Sequence, residues 1–192
     1  YMEKSKKLFL DGKYKELENF AEILMFIYPE NYKLKQVAGL NYIKLGRDIE
    51  GAELFASALQ GGVDESGEIP HVIRILFRND HFGDILSFYD RGVMKNDVNI
   101  AFYYGGALYH AGRFKESLER LEYARSNGFA GSEINYYIAL NMEQKGNISS
   151  AAAYMEAAYR HNRRDREIKM SLIRIYRKAG RLQEAETLFR GM

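Results

Sequence analysis

The chain has no cysteine, no tryptophan, only two prolines and almost no net charge. Without cysteine there are no disulfides, no thiolate nucleophile and no Cys-ligated zinc or iron–sulfur centre. The compartment stays open, because cysteine-free chains suit the cytosol and a bacterial cell envelope alike. With proline only at Pro29 and Pro70, long helices are permitted almost everywhere. A formal charge of +2 points to neither a polyanionic nor an acidic partner for the chain as a whole. No apolar run approaches the roughly 20 residues that span a bilayer; the longest candidate is Ile23–Tyr28. No signal-peptide pattern is visible, and a start at Tyr1 reads as a trimmed or mature piece of a longer chain. Phosphate-binding loops, dinucleotide fingerprints and nucleophile elbows are missing. His71, His81, His110 and His161 are scattered and form no pair at metal-ligand spacing. Neither a cofactor, a metal nor a catalytic activity is therefore expected.

What is present is a repeat. Gly12, Gly46, Gly112, Gly146 and Gly180 recur at an interval near 34 residues, and Asp80 fills the one wide gap. Four residues before each marker stands a large apolar side chain: Leu8, Tyr42, Leu76, Leu108, Met142 and Tyr176. Seven before, the residue is small in four repeats, at Ser5, Gly39, Gly105 and Ala139. Offsets of three and four place these on one helical face, and the small residue lets a second helix come close. That predicts that Gly105 tolerates Ala but not Leu. After each marker the apolar period restarts at five, nine and twelve residues, as in Leu17, Ala21 and Leu24. Each repeat is thus two amphipathic helices joined by a tight turn in which the marker takes positive φ. Pro29 stops the first repeat. Asn147-Ile148-Ser149 matches a glycosylation sequon, but its place before a helix reads as an N-cap. The polar, glycine-rich stretch 60–67 reads as a surface connector.

These patterns resemble the tetratricopeptide repeat. The carrying residues are Tyr42, Gly46, Phe55 and Ala58; Gly105, Gly112, Phe114, Leu121 and Ala124; and, best of all, Gly180, Leu182, Ala185 and Phe189. The resemblance covers residues 1–192 as six units, with departures at Asp80 and at the bulky position eleven before the marker. It implies an all-α fold, a right-handed α-solenoid of tandem helix pairs forming a single domain. It also implies a protein–protein interaction scaffold, not an enzyme. Phe189, Leu188 and Met192 look uncapped, which predicts a longer parent chain or a second chain, such as another copy, against this end.

In this family the inner wall is made by the first helix of each pair. Carried over by register, the wall includes Phe77, Phe102, Tyr103, Tyr109, Tyr136 and Tyr137, with Arg74 and Arg78 beside them and Arg174, Arg177 and Lys178 towards the C-terminus. Aromatic rings give large contact area at low entropic cost. Phe102 and Tyr136 can equally pack between repeats. From Arg160 to Met192 there are ten Lys/Arg against four Asp/Glu, so an extended apolar segment ending in acidic residues suits this wall. The same basic end leaves nucleic-acid binding as the alternative. The asparagine of the carboxylate clamp in some members belongs six before the marker, where Leu40, Arg74, Gly106, Leu140 and Arg174 stand instead, so chaperone-tail binding is not implied.

Overall fold

The computed structural model describes residues 1–62 and 67–191, and the centre of the expected connector, 63–66, and Met192 lie outside them. It divides into two compact units, Tyr1–Lys95 and Asn96–Met192. The first holds α1 (Met2–Leu10), α2 (Tyr14–Ile27), α3 (Tyr32–Lys44), α4 (Asp48–Ser57), α5 (Ile69–Arg78) and α6 (Phe82–Asp90). The second holds α7 (Val98–His110), α8 (Phe114–Ser126), α9 (Glu133–Gln144), α10 (Ile148–His161), α11 (Arg166–Lys178) and α12 (Leu182–Arg190). Among the described residues there is no strand. The all-α architecture of tandem helix pairs expected from the repeat is the one observed.

Every pair is closed by the same turn. The marker has φ between 60° at Asp80 and 81° at Gly46, the left-handed region that glycine enters without a Cβ penalty. In each turn the N–H following the marker donates to the carbonyl five residues earlier. The six bonds are Lys13 to Leu8, Arg47 to Tyr42, His81 to Leu76, Arg113 to Leu108, Asn147 to Met142 and Arg181 to Tyr176, each 2.9 Å. This closure satisfies carbonyls that a helix C-terminus otherwise leaves unpaired. In three pairs a ring three before the marker meets a ring two after it: Phe9 with Tyr14, Phe77 with Phe82, and Tyr109 with Phe114, at 5.7, 5.7 and 5.5 Å. These contacts staple the two helices across the turn.

The helices of a pair approach where the side chain is smallest. A Cβ on Gly39 would stand 2.6 Å from the Gly51 carbonyl oxygen and 2.9 Å from the Phe55 nitrogen. A Cβ on Gly51 would in turn meet the Gly39 oxygen at 2.5 Å, so α3 and α4 touch backbone to backbone. At the equivalent place in the fourth pair, the Ser117 hydroxyl donates to the Gly105 carbonyl at 2.7 Å. Here even a methyl group would stand 2.6 Å from the Leu121 side chain. The expected tolerance of Gly105 for Ala is therefore corrected: Ala fits only if Leu121 moves.

Successive pairs are joined by apolar contacts and by two kinds of polar link. In the first unit Leu8, Leu17, Ala21, Leu24, Leu34 and Ala38 form one buried cluster spanning α1, α2 and α3. In the second, Met155, Ala158, Ile168, Leu172 and Ile175 belong to a cluster spanning α9, α10 and α11. Asparagines five before the marker reach back one pair: the Asn41 amide donates to the Tyr14 carbonyl at 3.0 Å, and that of Asn141 to the Ser117 hydroxyl at 2.9 Å. The second link is an arginine latch. Arg47 lies 4.0 Å over the Tyr42 ring, bonds Glu50 on its own pair and reaches Glu18 of the preceding pair at 2.8 Å. Arg181 repeats this, 4.2 Å over Tyr176, with Glu184 on its own pair and Glu156 of the preceding pair at 2.7 Å. Burial first, and then the negative Glu156, push the Tyr176 phenol up to about 12.

Asn147 caps α10, its side chain accepting from the Ser150 N–H at 3.2 Å, as its position in the sequence predicts. Two stability measurements check this account. Gly39→Ala is expected to cost about 1–3 kcal/mol in urea unfolding, and more than Gly105→Ala, because backbone cannot yield as Leu121 can. Asp80→Gly is expected to stabilise by up to about 1 kcal/mol by relieving the left-handed conformation, whereas Asp80→Val is expected to destabilise. Equal costs for both alanines, or a loss with Asp80→Gly, would contradict the turn and contact assignments.

Candidate functional site

The expected wall residues fall in both units. In the first, Arg74, Phe77 and Arg78 all lie on α5. Phe77 is half-buried against Phe82, Arg74 is exposed with a guanidinium nitrogen 2.8 Å from His71 Nδ1, and Arg78 is exposed.

The second unit gathers the remaining rings on α7 and α9. Tyr137 is at the centre: its ring centroid lies 5.9 Å from Phe102, 6.2 Å from Tyr109, 6.0 Å from His110 and 5.2 Å from Tyr136. All four contacts are near-perpendicular, the arrangement that sets a positive ring edge against a negative face. Phe102 is only 5% exposed and stacks on Phe129 at 4.5 Å with the planes 18° apart. Of the two roles open to it, it takes packing. Such a stacked pair contributes about 0.5–1.5 kcal/mol beyond the area it buries. Tyr103, Tyr109, Tyr136 and Tyr137 are half-buried.

Tyr136 is committed at its tip. Its hydroxyl donates to Glu167 on α11 at 2.6 Å. Burial first, and then this carboxylate, hold the phenol well above its ordinary value, so it stays a neutral donor across the physiological range.

The cations of α11 are not all turned outwards. Glu143 of α9 has a side chain only 4% exposed, and it accepts from Arg174 Nη2 at 2.9 Å and pairs with Lys178 Nζ at 2.7 Å. Two of the three cations expected to attract an acidic segment thus neutralise a carboxylate of the same wall. Arg177 is exposed. Glu143 and Phe129 were not singled out in the sequence, and His110 was read only as one of four scattered histidines. The signal for Glu143 was its register: it sits three before its marker, where the other pairs carry Phe9, Ile43, Phe77, Tyr109 and Arg177.

Among the described residues no group of three or more His, Asp or Glu is placed to hold a metal, and no helix is long and apolar enough to cross a membrane.

A family model described as tetratricopeptide repeat matches residues 139–192. That stretch resembles the tetratricopeptide repeat, and the fold of the chain as a whole is like that of solved tetratricopeptide-repeat proteins. Among solved structures it is similar to the tetratricopeptide-repeat protein YrrB, with a TM-score of 0.63 at 15% identity over 88% of this chain and 87% of that one. A MamA structure designated AMB-1 gives 0.59 at 18% identity over 86% and 91%. A tetratricopeptide repeat protein from Parabacteroides merdae gives 0.58 at 14% identity over 99% and 76%. At these identities the likeness is one of fold. No curated protein matches the chain significantly.

Glu143→Gln tests the charge balance of this wall. Its partners are half-exposed, so the stability loss is expected to be about 1 kcal/mol or less. Affinity for a tetraglutamate peptide is expected to rise at low salt and to lose that gain at high salt, measured by fluorescence anisotropy. An unchanged affinity would show that Arg174 and Lys178 do not face the wall.

Proposed function

We propose that this chain is a protein-interaction scaffold in which α7 and α9 present Tyr103, Tyr109 and Tyr137 to an extended or helical segment of a partner protein. The observation that carries the reading is the set of half-buried rings centred on Tyr137. Their positions are fixed before any partner arrives, so binding spends little on ordering the receptor. The rings favour apolar or aromatic partner side chains, and Tyr hydroxyls add hydrogen bonding. An acidic residue on the partner would find Arg177, while Glu143 and Glu167 offset the other nearby charge. YrrB is described as having an unusual peptide-binding site, which makes peptide capture on this fold a reasonable precedent.

Nucleic acid on the basic stretch 160–192 is the weaker reading. Arg174 and Lys178 are tied to Glu143, Arg181 to Glu156 and Glu184, and Arg190 to Glu186. These ion pairs involve four of the ten cations of the stretch, which weakens the counterion release that phosphate binding would draw on.

Selection of a displayed random-peptide library on the purified chain tests the proposal. Enriched peptides are expected to share apolar or aromatic anchors. Tyr103→Ala and Tyr109→Ala are each expected to weaken them about tenfold or more while the melting temperature changes little. Full binding by both variants would move the interaction to another surface. Unfolding of both would show that the rings are core, and the proposal would fall.

A further inference from the structure

The last two turns of α2 are apolar almost all the way round, because Ile23-Leu24-Met25-Phe26-Ile27 runs without a polar residue. Leu24 belongs to the buried cluster of the first unit, but Ile23, Phe26 and Ile27 are 61%, 89% and 54% exposed. The repeat does not call for them. At the positions of Phe26 and Ile27, fourteen and fifteen after the marker, the fourth pair carries Ser126 and Asn127 and the fifth Arg160 and His161, all exposed. A helix that is apolar on every side is one that something covers. The rim of this knob is acidic: Glu22 and Glu30, both exposed, stand four residues either side of Phe26. Over Tyr14–Glu30 there are four Glu against one Lys.

The second unit carries a hollow of the opposite character. Tyr159 of α10, Leu172 and Tyr176 of α11 and Leu188 of α12 line a groove of about 590 Å³, with Lys169 beside them. The stretch that runs from Tyr159 to Lys169 is basic. Arg160, Arg163, Arg164 and Arg166 are exposed, whereas its two acids are engaged, Asp165 in capping α11 and Glu167 with the Tyr136 hydroxyl. We propose that a second copy of this chain covers both surfaces: Phe26 of one copy seats in the groove between α10, α11 and α12 of another, with Glu22 and Glu30 against the arginines that follow Tyr159. An acid-rimmed apolar knob and a basic-rimmed apolar groove on the same chain complement each other in polarity and in charge. The ring supplies apolar contact area, and the rim charges fix orientation and speed encounter. The contact is heterologous, so it either closes into a ring or extends from copy to copy. It uses no residue of the wall on α7 and α9.

Sedimentation velocity on the whole chain, at concentrations up to about 1 mM, tests this. The wild-type chain is expected to associate as concentration rises, and less so at high salt. Phe26→Arg spoils the knob, and Thr187→Arg obstructs the groove that Thr187 lines. Both residues are exposed, so helical circular dichroism and melting temperature are expected to stay unchanged. Each substitution is expected to weaken association about tenfold or more. Mixed together, the two variants are expected to form a one-to-one dimer and nothing larger, because one keeps an intact groove and the other an intact knob. A wild-type chain that stays monomeric throughout would overturn the proposal, and so would a mixture that does not associate. Self-association kept by Thr187→Arg and lost by Phe26→Arg would overturn it too, assigning the patch to a twofold contact between two α2 helices.

Discussion

The structure depends on one backbone constraint: a residue in the left-handed conformation at the end of the first helix of each pair. A single positive φ reverses the chain and lets the next N–H close back on the carbonyl five residues earlier, at 2.9 Å in all six turns. Because the turn is the same each time, equivalent register positions are brought together after it. In the second and fourth pairs the residue seven before the marker faces those five and nine after it: Gly39 meets Gly51 and Phe55, and Gly105 meets Ser117 and Leu121. A solenoid is built in this way from one local rule and nearest-neighbour packing.

The same register sorts side chains into jobs. Rings three before the marker staple the turn; asparagines five before it and arginines one after it join neighbouring pairs. What those jobs leave over is the wall of the second unit, where α7 and α9 together carry more rings than the turns use. Tyr109 does both, meeting Phe114 across its turn and Tyr137 on the next pair. In the proposed function, a wall that is aromatic and nearly balanced in charge selects partners by shape and apolar contact, with electrostatics in a minor role.

The repeat was legible because its signals are local. The markers at Gly12 through Gly180, the cap at Asn147 and the small residues seven before the markers are read from spacing alone. Asp80 was legible as well, since aspartate tolerates the left-handed region better than most side chains. What escaped the sequence depends on side chains that another helix or loop brings alongside. Phe102 packs rather than presenting itself because Phe129, carried past Gly128 at the end of α8, stacks on it. Arg174 and Lys178 looked available until Glu143, 31 residues before Arg174, proved to lie between them. The tight limit at Gly105 comes from Leu121, whose rotamer no spacing specifies.

The turn itself is the most direct point of attack. Through-hydrogen-bond scalar couplings, measured by NMR on the labelled chain, report donor and acceptor together. Couplings are expected from the amides of Lys13, Arg47, His81, Arg113, Asn147 and Arg181 to the carbonyls of Leu8, Tyr42, Leu76, Leu108, Met142 and Tyr176. Finding these amides bonded one residue out of register, or unbonded in several turns, would contradict the common turn and with it the register on which every placement in the wall rests.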